Sequence, residues 1–241
     1  MTTSYNRAIG EREFIMYSTE KEVRLGRKIA AKFEKKCELY DDEGEQKRID
    51  EIGRRIAAVS DRGDLKYYFK IIKDEEVNAL ALPGGYIYVS SGLIEIAERD
   101  DEIAAVLAHE VGHVAAKHSM KKMQGDFLFN FLTAITLIGS SDTGFHRGKD
   151  FAYLSVLMQY SRDFEKEADR LSVKYLKAAG YDPYAALSML EKLQKIDRRQ
   201  KRRRYSYFRS HPPIDMRKAL VKREITGKLD YEGYLDLMEG D

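Results

Sequence analysis

One five-residue run constrains this chain more than any other: His109-Glu110-Val111-Gly112-His113, set within the apolar, helix-forming residues 102–108 and 114–117. An α-helix stacks residues four apart on one face. His109 and His113 can therefore present two imidazole nitrogens to a single metal ion. Glu110, one position on, can reach a water held there and take its proton, so the spacing suits metal-assisted hydrolysis. Gly112 inside a helix costs about 1 kcal/mol against alanine. Its presence predicts close approach of another backbone, or of substrate, at that point.

A catalytic zinc takes three protein ligands and keeps a fourth position open, so one ligand has to come from elsewhere. The chain has five histidines, at 109, 113, 118, 146 and 211. If the helix runs on, His118 lies about half a turn round from His109 and is expected on the surface. His146 sits in a glycine-containing loop and is a poor ligand. Glu165, in Tyr160-Ser-Arg-Asp-Phe-Glu-Lys-Glu-Ala-Asp-Arg170, is the better third ligand. Asp169 is four residues on and shares its face, where it can accept the outer N–H of a ligand histidine and fix that ring's tautomer. Glu167 points away from both and is expected to be solvated.

Around these residues the pattern alternates between helix and strand. Residues 1–17 show no period and are expected as an extended arm. Thr19-x-x-Glu22 reads as a capping box for a helix to about Tyr40. Ile49, Ile52 and Ile56 mark a second helix, while Leu65, Tyr67, Phe69 and Ile71 alternate with polar or amphipathic residues as in a half-buried strand. Pro83-Gly84-Gly85 between apolar runs signals a hairpin. A short helix from Ser91 to about Glu98 precedes Arg99-Asp100-Asp101, the expected cap of the H-E-x-x-H helix. Another helix is expected from about Phe151 across Tyr160, continuous or broken there, to Ala179, with Gly180 as its C-cap. Asp182-Pro183 should start one that ends near Ile196, and a last helix should cover 214–224 ahead of an acidic tail. The apolar stretch 126–139 is expected as a core helix or a lid.

Composition narrows the function classes. Lys plus Arg is 42 and Asp plus Glu is 40, for a net charge of +2, which implies no polyanionic partner. Arg198–Arg204 reads as a solvated face, so no nucleic-acid ligand is expected, while peripheral membrane association stays open. Cys37 is the single cysteine. It excludes an internal disulfide or a cysteine-cluster metal site and is expected as a buried packing residue. The first residues contain no apolar leader core, and no run reaches the roughly 18 apolar residues a membrane span needs.

The spacing of H-E-V-G-H and, some fifty residues later, S-R-D-F-E-K-E-A-D resembles the family of HtpX heat-shock peptidases and type-1 CAAX prenyl proteases. Within it the chain is most similar to the soluble, periplasmic BepA-like members. Gly10-Glu-Arg-Glu-Phe14, Glu22-Val-Arg-Leu-Gly26, Asn78-Ala-Leu-Ala-Leu-Pro-Gly-Gly-Tyr-Ile-Tyr-Val89, Gly180-Tyr-Asp-Pro183 and His211-Pro-Pro-Ile-Asp-Met-Arg217 carry the same likeness. The resemblance implies an α+β, zincin-like fold of the gluzincin type, mostly helical, with a small sheet whose edge strand precedes the H-E-x-x-H helix. One domain over 1–241, with a tail from 225, is the simplest organisation.

The resemblance also implies one Zn2+ per chain held by His109, His113 and Glu165, with Glu110 as base and Asp169 in support. His211 and Arg217 would line the cleft and stabilise the oxyanion, or His211 would occupy the open zinc position at rest. Asn78 and Ala79 would hold a protein or peptide substrate by backbone pairing. Zinc-dependent hydrolysis of peptide bonds in envelope protein quality control is the expected function. A chaperone-like binding subunit with weak or self-inhibited turnover is the alternative. The location expected by resemblance is the periplasm or cell envelope, with a leader removed; it is the cytoplasm if Met1 is the native start.

Overall fold

The computed structural model describes residues 2–15, 17–123, 160–199, 211 and 214–228. Residues 126–139, His146 and residues 200–204 of the basic run lie outside that set. The expected arm folds back on itself: β1 (Thr2–Asn6) and β2 (Glu11–Ile15) pair antiparallel. Gly10, at φ 73°, ends the turn between them.

Helix α1 (Thr19–Glu34) starts one residue earlier than a Thr19 cap would put it, because the Ser18 side chain accepts from the Lys21 N–H. Glu22 is thereby freed from capping and turns inward. Its carboxylate pairs with Arg62 at 3.1 Å and accepts the Gly84 N–H at 3.3 Å. The helix ends at Glu34 and leaves Cys37 buried just beyond it, in no disulfide. Helix α2 (Glu43–Ala58), capped by Asp42, buries Ile49, Ile52 and Ile56 as their spacing predicts.

Strands β3 (Tyr68–Ile72), β4 (Ala79–Leu82) and β5 (Tyr86–Ser90) form one sheet in the order β3-β5-β4. β3 runs parallel to β5, and β4 antiparallel, joined to it by the expected turn, a 3-10 segment at Pro83–Gly85. Gly84 and Gly85 both have positive φ there, a conformation that disfavours residues with a Cβ. Thus β4 is an edge strand, and after β5 and α3 (Ser91–Ile96) the chain enters α4 (Asp100–Ala115).

Every residue of α4 from Glu102 to Ala115 is buried, as an apolar run with no polar face requires. Arg99 is its cap residue but makes no side-chain capping bond. The rest of the fold encloses α4: α2, the sheet, α6 (Arg162–Ala179) and α7 (Ala185–Arg199) pack on it, while α8 (Ile214–Thr226) closes over α6 and α7. α6 comes closest. A Cβ at Gly112 would lie 3.0 Å from the Ala168 carbonyl oxygen, so the glycine records the backbone approach that its helical position predicts. Ser161 caps α6, and Gly180, at φ 73°, ends it as expected. Short α5 (His118–Lys122) follows α4 after a break at Lys117. Among the described residues no helix is long and apolar enough to cross a membrane. The result is the mostly helical, small-sheet fold of a zincin-like peptidase.

Candidate active site

α4 brings His109 and His113 onto one face with their Nε2 atoms 3.0 Å apart. Across the Gly112 contact, α6 delivers Glu165, whose carboxylate lies 3.4 Å from His109 Nε2 and 3.3 Å from His113 Nε2. His211, ahead of α8, completes the group. Its Nδ1 is 2.9 Å from Glu165 Oε1 and 3.4 Å from His109 Nε2. One ligand-type atom from each of these four buried residues lies within 4.8 Å of all the others.

Hydrogen bonding on the outer side of the rings says what faces inward. Asp169 Oδ1 is 2.9 Å from His109 Nδ1, and a carboxylate only accepts, so the proton belongs on Nδ1. In a neutral ring that leaves a lone pair on Nε2, aimed at His113 and Glu165. Lone pairs and a carboxylate packed this closely require a cation between them. Burial and Arg217 pull the His109 pKa down, but Asp169 and Glu165 outweigh them and raise it to about 9. His113, with burial dominant, is held well below its usual value and neutral. Among the described residues, Glu165 Oε2 is buried without a hydrogen bond. The donor set therefore fits a divalent metal ion.

Glu110 sits beside this cluster, fully buried, and among the described residues neither of its oxygens has a hydrogen-bond partner. The nearest ring nitrogen is His211 Nε2 at 3.6 Å. Burial raises its carboxyl above the ordinary range, which suits a group that must take up a proton and release it. Arg217 ties the support together. Its guanidinium donates to both oxygens of Asp169 at 2.9 and 2.8 Å and to the His211 carbonyl at 3.3 Å, and lies 3.2 Å from Glu165 Oε2. Burial would raise the Asp169 carboxyl, but Arg217 and the His109 N–H hold it below its usual value. Burial is likewise outweighed at Glu165, which His211 and Arg217 hold well below.

Two sequence expectations fail together. His118 is not on the surface: it is fully buried, with Nδ1 2.8 Å from His113 Nδ1 and Nε2 3.0 Å from Glu167 Oε2. Glu167 accordingly faces α5 as a partner of that ring. The cause is Lys117, at φ 59° and ψ 31° in the left-handed region, which ends α4 and resets the phase by which His118 was placed. Tyr160 and Ser119 gave no functional signal in sequence. The Tyr160 ring stacks on His113 at 4.0 Å, and its hydroxyl bonds Ser119 Oγ at 2.8 Å. Asn78 and Ala79 lie at the start of the edge strand, both buried. Asn78 Oδ1 accepts the Ala79 N–H at 3.0 Å, and the Ala81 carbonyl accepts from Ser119 at 3.2 Å. Those two backbone groups of the strand are thus already engaged within the chain.

A buried helix bearing H-E-x-x-H, completed by a glutamate from a second helix, defines the gluzincin class of metallopeptidase folds. Residues 43–225 match peptidase family M48, and the chain belongs to that family. Among its relatives, the mitochondrial metalloendopeptidase OMA1 of Schizosaccharomyces pombe is 30% identical over 73% of this chain and 54% of its own length. The beta-barrel assembly-enhancing protease of Escherichia coli is 26% identical over 73% of this chain and 38% of its own. Metalloprotease YcaL of Escherichia coli is 33% identical over 65% of this chain and 61% of its own. The chain thus spans less than two thirds of the length of each of these relatives.

Proposed function

We propose that the protein is a zinc-dependent endopeptidase acting on proteins or peptides, on the BepA-like side of the HtpX and type-1 CAAX protease group. One observation carries the reading: Glu110, a buried carboxylate with no hydrogen-bond partner among the described residues, stands beside a buried cluster of histidines and a glutamate. Unpaired buried polar groups are costly in a stable fold, and they collect where chemistry needs them. His109, His113 and Glu165 would hold the zinc. When bound, zinc supplies Lewis-acid polarisation of the scissile carbonyl and makes water a better nucleophile near neutral pH. Glu110 removes the proton of the attacking water and returns it to the leaving amine. Asp169 holds the His109 ring through Nδ1, while Arg217 fixes Asp169 and anchors the backbone at His211. His211 and Arg217 would line the cleft and supply N–H donors to the oxyanion. Ala79 opens the edge strand that would receive the substrate backbone, with Asn78 just ahead of it holding the Ala79 N–H and pairing its own backbone with Ser90; the Ala81 carbonyl, already bonded to Ser119, limits how far that pairing extends. By likeness to an assembly-enhancing protease and a mitochondrial endopeptidase, the role is protein quality control in an envelope compartment.

A second reading concerns turnover rather than chemistry. The buried His211 imidazole contacts Glu165 and lies near His109, which supports a resting form in which it fills the fourth position on zinc. One assay tests both readings: cleavage of unfolded casein by zinc-loaded wild type, Glu110→Gln and His211→Ala. Glu110→Gln should keep the metal and lose at least about a hundredfold in rate, as expected for a positioned acid–base group. Wild-type cleavage by that variant removes Glu110 as base. A rate for His211→Ala at or above wild type supports self-inhibition, and a fall comparable to that of Glu110→Gln assigns His211 to the reaction instead.

A further inference from the structure

His118 and Glu167 have no part in the scheme above, yet both lie in a line that ends on a metal-ligand candidate. Glu167 has 20% of its side chain exposed, whereas His118 and His113 are fully buried. From the outside inward, Glu167 Oε2 is 3.0 Å from His118 Nε2, and His118 Nδ1 is 2.8 Å from His113 Nδ1. The His118 ring is clamped by stacking on Phe164 at 4.2 Å, with planes 9° apart.

The proton positions follow in sequence. A carboxylate accepts, so His118 carries its proton on Nε2. A neutral ring protonated there has a bare Nδ1. That nitrogen can only accept, so His113 must donate through its own Nδ1–H. His113 Nε2 is then left as a lone pair directed at Glu165 and His109. Reversing any step would put a proton on the face of His113 that turns toward the cluster.

We propose that His118, oriented by Glu167, is a positioning residue that selects the metal-binding tautomer of His113. This rests on the reading of His109, His113 and Glu165 as a metal site. It gives the two ligand histidines unequal supports: Asp169 acts on His109 directly, while a carboxylate acts on His113 through a neutral imidazole.

The test is zinc affinity, measured by competition with a chromophoric chelator, for wild type, His118→Phe, His118→Asn and Glu167→Ala. Asn places an amide oxygen near the position of Nδ1 and keeps the acceptor. Phe keeps the ring volume and the stack on Phe164 but has no acceptor. Outer partners of metal-bound histidines contribute roughly 10–100-fold in affinity. His118→Phe should therefore bind zinc about 10–100-fold more weakly, Glu167→Ala about tenfold more weakly, and His118→Asn close to wild type. A role in packing alone predicts the reverse order, with Phe near wild type and Asn weakened, and that order overturns the proposal. Equal affinity in all four proteins overturns it as well. Because Glu167 is partly exposed, Glu167→Ala keeps the comparison readable if His118→Phe fails to fold. A wild type that binds no zinc overturns the metal reading, and this proposal with it.

Discussion

At the scale of single residues, the site depends on charges held where water cannot compensate them. Arg217 is 2% exposed and contacts both Asp169 and Glu165. Removing one partner of a buried ion pair costs about 3–5 kcal/mol, because the remaining charge is left uncompensated. Arg217→Ala should therefore lower the unfolding free energy of metal-free protein by that amount in urea titrations. Arg48, paired with Asp100 at 2.6 Å with 35% of its side chain exposed, provides the contrast. Its replacement by alanine should cost less than about 1 kcal/mol, and equal losses for the two variants would contradict a cost set by burial at Arg217. Residue-level legibility was uneven for a related reason. Glu110, His109 and His113 are local on one helix turn, so spacing alone placed them. Asp169 was assigned to a ligand histidine on spacing, and it meets His109. Which acid partners His118 depends on how two helices dock, and no local spacing encodes that.

Between elements, glycines set how closely backbones approach. A Cβ on Gly26 of α1 would fall 1.9 Å from the Pro83 carbonyl oxygen, whereas one on Gly63 would meet nothing within 4 Å. The tight contact lies beside the Glu22–Gly84 bond and fixes α1 against the β4–β5 turn. Overpacking costs typically 1–3 kcal/mol and more against rigid backbone, so Gly26→Ala should lose about 3 kcal/mol. Gly63→Ala should stay within about 0.5 kcal/mol of wild type. Chemical denaturation of the two variants measures both, and a neutral Gly26→Ala would show that α1 can move off the turn. Most helices and strands were legible because their apolar periods match their burial, as in α2, β3 and α6. The first helix is capped one residue before the position that spacing predicts: Thr19-x-x-Glu22 has the letters of a capping box, but a buried arginine competes for Glu22 and Ser18 supplies an equivalent oxygen.

Over the whole molecule, the cluster joins segments that are far apart in the chain: His109 and His113 on α4, Glu165 on α6, and His211 ahead of α8. An unfolded chain cannot hold these together, so a metal that binds them stabilises the native state by mass action, about 2.7 kcal/mol at a hundredfold excess over Kd. For a protein of this size that corresponds to a rise in Tm of about 5–10 °C. Zinc added to metal-free protein should produce this shift in differential scanning fluorimetry, a chelator should reverse it, and Glu165→Ala should abolish it. A Tm indifferent to zinc would mean that these segments do not close on a metal. What is local and periodic can be read directly from the residues: the H-E-x-x-H face, the Glu165/Asp169 face, the hairpin at Pro83–Gly85, and the glycine where α4 meets α6. Each follows from a repeat of 3.6 or 2, or from a residue with unusual backbone freedom. The rest follows only from how the elements pack: the contacts by which His211 and Arg217, placed at the cleft by resemblance, meet Glu165 and Asp169, the placing of Tyr160 against His113, and the inward turn of His118. That last depends on one lysine in a left-handed conformation, which resets the helical phase with no glycine or asparagine to announce it.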